Sequence, residues 1–111
     1  MGPERRGPIH LPMDTMGIAL SGMRSASTRI AVSAHNVANL LTEGFRPQRA
    51  TQSAQASGGS QALVSTADQP ESVDLDREIV GQIEAKTQFK ASLRVLSAEA
   101  EMRGSLLDIL A

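Results

Sequence analysis

Between Asp14 and Leu41 the apolar and small positions fall at Met16, Leu20, Met23, Ser27, Ile30, Ala34, Val37 and Leu41. The steps alternate four and three, a heptad-type seam that predicts one helix. Asp14 stands in front of it as an N-cap. Arg24, Arg29 and His35 fall off the seam. Much of the seam is small or Met, so a partner can approach closely and pack adaptably. Gly44 supplies the left-handed residue that stops the helix, and Phe45 just beyond it can fold back on Leu40.

A second pattern starts near Asp74. Asp74, Asp76 and Glu78 crowd its first turn, where carboxylates suit the helix dipole. No proline follows, and a helix of about 36 residues, roughly 54 Å, is predicted. Leu75, Ile79, Phe89, Leu93, Leu96, Ala100, Leu107 and Leu110 form one stripe; Val95, Met102, Leu106 and Ile109 form another. The two merge at the C-terminal end. The shorter first helix cannot cover both flanks, so the surplus face predicts association with other chains.

What lies outside the two patterns is plain. Residues 1–13 hold three prolines and two glycines and read as a flexible tail. Residues 50–69 are Ala, Ser, Thr, Gly and Gln except for Leu63, Val64 and Asp68. Such a segment buries too little apolar area to offset its ordering entropy. It reads as a linker that tolerates shortening, with at most a short strand at Leu63-Val64. The expected fold is therefore all-α, an antiparallel pair of long helices joined by a flexible or weakly structured loop. Its parts are a tail at 1–13, an N-terminal helix at 14–45, a linker at 46–72 and a C-terminal helix at 73–111.

Composition sharpens the reading by exclusion. Of 111 residues only Phe45 and Phe89 are aromatic, so a robust autonomous core is not expected. The formal net charge of −1 argues against a nucleic-acid surface. No apolar run reaches the roughly 20 residues of a membrane helix. Arg5 and Arg6 are followed by no apolar stretch, so a cleavable signal peptide is not expected. There is no cysteine, and the two histidines, His10 and His35, lack companions at ligand spacing. No nucleophile, base and orienting acid converge. The expectation is a non-enzyme with no catalytic, metal or cofactor site. Lys86, Lys90 and Arg94 recur every fourth residue, as a solvated ridge or a strip facing acids on a neighbour.

Asn36 and Asn39 interrupt the first helical pattern. They read either as helix-end residues bonded to local backbone, or as contacts between subunits that fix register.

Ser33-Ala34-His35-Asn36-Val37-Ala38-Asn39, followed by Thr42 and Gly44-Phe45, resembles the N-terminal signature of bacterial flagellar rod and hook proteins. The far end resembles the same family's C-terminal helix: Val73-Asp74-Leu75, then Glu84-Ala85 before Phe89, then Met102 before Leu106-Leu107-Asp108-Ile109. Leu41 stands where the family usually has a third asparagine. In length the chain is most similar to the short proximal rod proteins.

The resemblance implies a structural subunit of the basal-body rod, polymerising through paired terminal helices into a tube that crosses the periplasm. It implies export by the flagellar type III apparatus, with other rod proteins and further copies of itself as partners. The alternative is a non-polymerising helical adaptor or export-related protein that binds rod components. The assembly residues expected on this reading are Met16, Leu20, Met23, Ile30, Asn36, Val37, Asn39, Gly44 and Phe45 from the first helix and its exit. From the second they are Phe89, Leu93, Leu96, Met102, Leu106, Leu107 and Ile109.

Overall fold

A computed structural model describes residues 14–110. The tail expected over 1–13 lies outside the described residues. The chain order is α1 (Thr15–Ala38), β1 (Gln48–Ala54), β2 (Ser60–Thr66) and α2 (Leu75–Leu110).

Asp14 starts α1. Its extended backbone turns the side chain so that Oδ1 accepts from the Gly17 N–H at 2.7 Å. The helix stops at Ala38, earlier than expected, and the residue responsible is Asn39 rather than Gly44. Asn39 leaves helical geometry (φ −105°, ψ 16°), its N–H is shared by the carbonyls of His35 and Asn36, and its Nδ2 donates to the His35 carbonyl at 2.9 Å. An asparagine side chain thus satisfies a helix-end acceptor, as it does in many turns. Gly44, at φ 72°, serves the following turn, where its lack of a Cβ permits the left-handed backbone.

The all-α expectation is overturned by the segment read as a linker. β1 and β2, seven residues each, form an antiparallel hairpin in register from Gln48↔Thr66 to Ala54↔Ser60. Gln55 N–H closes the tip on the Gly59 carbonyl, and Gly58 and Gly59 take positive φ there (96° and 83°). The segment does lack large apolar side chains. It orders because alternate small or amide residues, Gln48, Ala50 and Gln52 on β1 and Ser60 and Ala62 on β2, are half-buried. Polar bonds to α1 replace apolar area: Ser60 N–H donates to Ser21 Oγ, and Ser60 Oγ pairs with Ser25 Oγ at 3.0 Å.

α2 begins after Asp74, whose Oδ1 accepts from the Arg77 N–H. It runs antiparallel to α1. The touching pairs descend one helix as they climb the other: Asp14–Arg103, Gly22–Ser92, Arg29–Gln88, Ser33–Gln82, Asn36–Glu78. The Phe45 carbonyl accepts from the Glu71 N–H, which holds the exit of α1 beside the approach to α2.

The result is a thin plate, 60 × 47 × 16 Å, with a radius of gyration of 19.5 Å. A compact domain of about 100 residues has roughly 13 Å. Among the described residues the buried apolar ones are Ala19, Ala26, Val32, Pro47 and Ala85.

Candidate assembly surface

Two surfaces matter, one inside the plate and one outside. The inner one is polar and small. Asn36 is the largest fully buried side chain among the described residues, 1% exposed. Its amide bonds both backbone groups of Gln48, donating to the carbonyl at 2.8 Å and accepting from the N–H at 2.9 Å. It acts as a one-residue strand partner for β1. Nδ2 also donates to Glu78 Oε1 at 3.2 Å, so one side chain ties α1, β1 and α2 together. Below it, Ser33 Oγ donates to the Glu78 carbonyl and accepts from Gln82. Gln88 donates to the Gly22 carbonyl, while its Oε1 accepts from both Arg29 and Gln52. No buried side-chain polar atom among the described residues lacks a partner, so the polar seam carries no desolvation penalty for unmade bonds.

Gly22 sets the helix spacing. A Cβ built there would stand 2.5 Å from Ser92 Oγ. The heptad Ala19, Gly22, Ala26, Arg29, Ser33, Asn36 is therefore the seam that faces inward. The seam of Met and Leu expected from the sequence lies beside it. Met16, Met23, Ile30 and Val37 are half-buried along its border, while Leu20 and Leu41 are exposed, Leu41 at 95%. Asn39 is a local helix cap, and Thr42 Oγ1 donates to its Oδ1. Gly44 sits exposed in the turn, and the Phe45 ring packs edge-on against His35, centroids 5.4 Å apart.

The outer surface is apolar and open. On α2, Phe89 and Leu96 are half-buried and Leu93 is exposed. Ile30, Phe89 and Leu93 meet in a groove of about 520 Å³ between the helices, edged by Lys86 and Lys90. Met102, Leu106, Leu107 and Ile109 are not brought to that groove. α1 starts opposite Arg103, where Asp14 Oδ2 pairs with the guanidinium at 3.3 Å, and everything past that point projects beyond α1. Met102 beside that point and Leu106 past it are more than half exposed, Ile109 77% and Leu110 82%. The Gly17 N–H, and then Arg103, hold the Asp14 carboxyl below the usual carboxylate range.

A second, broader cleft of about 880 Å³ opens between β1 and the first turns of α2. Arg29, Arg49 and Arg77 line it together with Glu71, Asp74, Asp76, Glu78 and Glu84, so its walls carry both signs of charge. Among the described residues no group of three His, Cys, Asp or Glu side chains is placed to hold a metal ion. No described helix is long and apolar enough to cross a membrane.

Ser21, Gly22, Ser25, Gln82 and Gln88, which bond or pack between the elements, carry no signal of their own in the apolar pattern of the sequence. The signal of the seam was present as a small-residue heptad one position away from the larger one.

Comparison with known proteins locates this arrangement. No curated protein matches the chain. Residues 72–109 match the family model described as flagellar basal body rod FlgEFG protein C-terminal. That span coincides with α2 and its approach, the element bearing the open apolar face. The match covers this C-terminal stretch alone, so it is α2 and its approach that are similar to the C-terminal segment of the flagellar basal-body rod family.

Proposed function

We propose that this protein is a structural subunit of the flagellar rod that polymerises through its terminal helices into the periplasm-spanning tube. Its partners are then further copies of itself and other rod proteins, reached after export through the flagellar type III apparatus. One observation carries the reading: the rod-family segment is a helix whose apolar residues stay exposed in the isolated chain. Leu93, Val95, Met102, Leu106, Leu107, Ile109 and Leu110, exposed on two stripes of that helix, cost roughly 25 cal/mol for each Å² of apolar surface left in water. A wall of neighbouring subunits removes that cost. The thin plate fits the same reading, since a subunit with little core of its own gains stability by association.

The test compares two variants in purified basal bodies, with export followed separately. Leu106→Asp places a carboxylate in a dry interface, a penalty of about several kcal/mol unless it protonates, and incorporation should fail while export continues. Arg94→Asp alters an exposed charge and should incorporate with little loss. Normal incorporation of Leu106→Asp would remove this face from the assembly and favour an adaptor that binds rod components without polymerising.

A further inference from the structure

The groove and the overhang of α2 are complementary, and one chain cannot join its own pair. Phe89 and Leu106 sit on one continuous helix, 17 residues apart, which is about 26 Å along a rigid rod. The overhang therefore reaches only the groove of another copy. We propose that residues 102–110 of one copy dock in the Ile30–Phe89–Leu93 groove of the next. This inference rests on the reading of the chain as an assembling subunit, and it names the contact.

Three observations support the fit. The first is length. The overhang of nine residues spans roughly 13 Å, and the groove wall from Lys86 to Leu93 about 10 Å. The second is apolar matching. The groove floor is Ile30, Ala31, Phe89 and Leu93. The overhang presents Met102, Leu106 and Ile109 at steps of four and three, the spacing of a helical face that packs on another helix. The third is charge. Lys86 and Lys90 edge the groove, and among the described residues neither forms an ion pair. Glu101 and Asp108 are seven residues apart, hence on one side of the overhang, and they too are without an ion pair among the described residues. Docking sets the two acids against the two lysines, which orients the contact.

Groove and overhang are different patches of one surface. Made once between each pair of copies, their contact is heterologous, and repeating it builds an open chain of subunits; made reciprocally, it would close a two-fold dimer, which the ladder below distinguishes.

The full chain contains no cysteine, which makes disulfide trapping clean. Ala31→Cys and Ser105→Cys, the latter at the edge of the Met102–Leu106–Ile109 face, are prepared as separate proteins; both positions are exposed. Mixed and oxidised, they should give the Ala31–Ser105 dimer well in excess of either homodimer. A Ser65→Cys chain, altered on the exposed side of the hairpin, should give no such excess with Ser105→Cys. A chain carrying both cysteines should give a ladder of trimers and longer species. Lys86→Glu with Lys90→Glu in the groove chain should cut the mixed yield several-fold, and Glu101→Lys with Asp108→Lys in the overhang chain should restore it. Predominant Ser105–Ser105 dimers, a doubly substituted chain that stops at dimers, or a mixed yield no better than the Ser65 control would each overturn the proposal. If trapping fails while the parent chain is recovered from basal bodies, the contact is wrong and the rod reading stands. If trapping succeeds while the chain is absent from basal bodies, the contact is right and the rod reading falls.

Discussion

Asn36→Ala removes the side chain that stands in for a strand partner at the start of β1. Two bonds to Gln48 backbone are lost, at 2.8 and 2.9 Å, with a weaker one to Glu78 at 3.2 Å. The methyl that replaces the amide satisfies neither group, and both lie in a part-buried site. Each hydrogen bond is worth about 1 kcal/mol net, and an orphaned buried backbone group costs roughly 1–3 kcal/mol. The combined loss is about 2–4 kcal/mol. It falls on the hairpin, because the other α1–α2 bonds, at Ser33, Gln88 and Arg29, do not involve Asn36. Amide hydrogen exchange reads this directly, since local opening free energies are resolved residue by residue. Protection of the Gln48 amide should drop roughly 30- to 700-fold, at tenfold per 1.4 kcal/mol. The β1–β2 amides should follow it, and the middle of α2 should change little. Asn36→Asp keeps the shape but removes the donor to the Gln48 carbonyl and sets a carboxylate against Glu78, so it should lose at least as much. Unchanged protection at Gln48 in Asn36→Ala would refute the clamp.

Further outcomes follow from the same seams. Gly22→Leu should separate the helices and cost about 1–3 kcal/mol as overpacking; Gly22→Ala should be milder, because Ser92 Oγ can rotate away, and Ser92→Gly should recover what it loses, all measured by denaturant titration. Deleting Ser57 to Ser60 should abolish hairpin protection in exchange, contrary to the tolerance expected of a linker, because the cut removes Gly58, Gly59 and the Ser60 bonds to Ser21 and Ser25. Acidification should loosen the start of α1. The folded Asp14 carboxyl lies below its ordinary value of 3.8, so its capping contribution is complete above that value and disappears as pH falls through the folded one. Exchange at the Gly17 amide should accelerate below that range in the parent and not in Asp14→Asn, whose amide oxygen still caps.

The two helices are legible in the sequence because their signals are local. Asp14 and Asp74 are N-caps whatever surrounds them, and a run of 36 residues without proline propagates. The inward face of α1 is harder to read. Pattern reading weights Met, Leu and Ile, whereas the buried contacts here use Gly22, Ser25, Ser33 and Asn36, residues whose burial depends on partners distant in the chain. The hairpin was misread for a related reason. Gln, Ser and Ala carry little strand propensity, and the bonds that order them, Asn36 to Gln48 and Ser21 to Ser60, are visible only once α1 lies alongside. The open face of α2 was readable in outline, because two stripes on one long helix exceed what a shorter helix can cover. That Leu106, Ile109 and Leu110 project past the start of α1 depends on where the helices meet, which the Asp14–Arg103 pair fixes.

The central claim is that this chain is built into the rod. It is tested most directly by quantitative mass spectrometry of purified hook–basal bodies, with the chain's copy number scaled to known basal-body rings. The account predicts several copies per basal body, retained after washes that strip peripheral proteins. Absence from basal bodies, with the protein held in the cytoplasm beside the export apparatus, would contradict it.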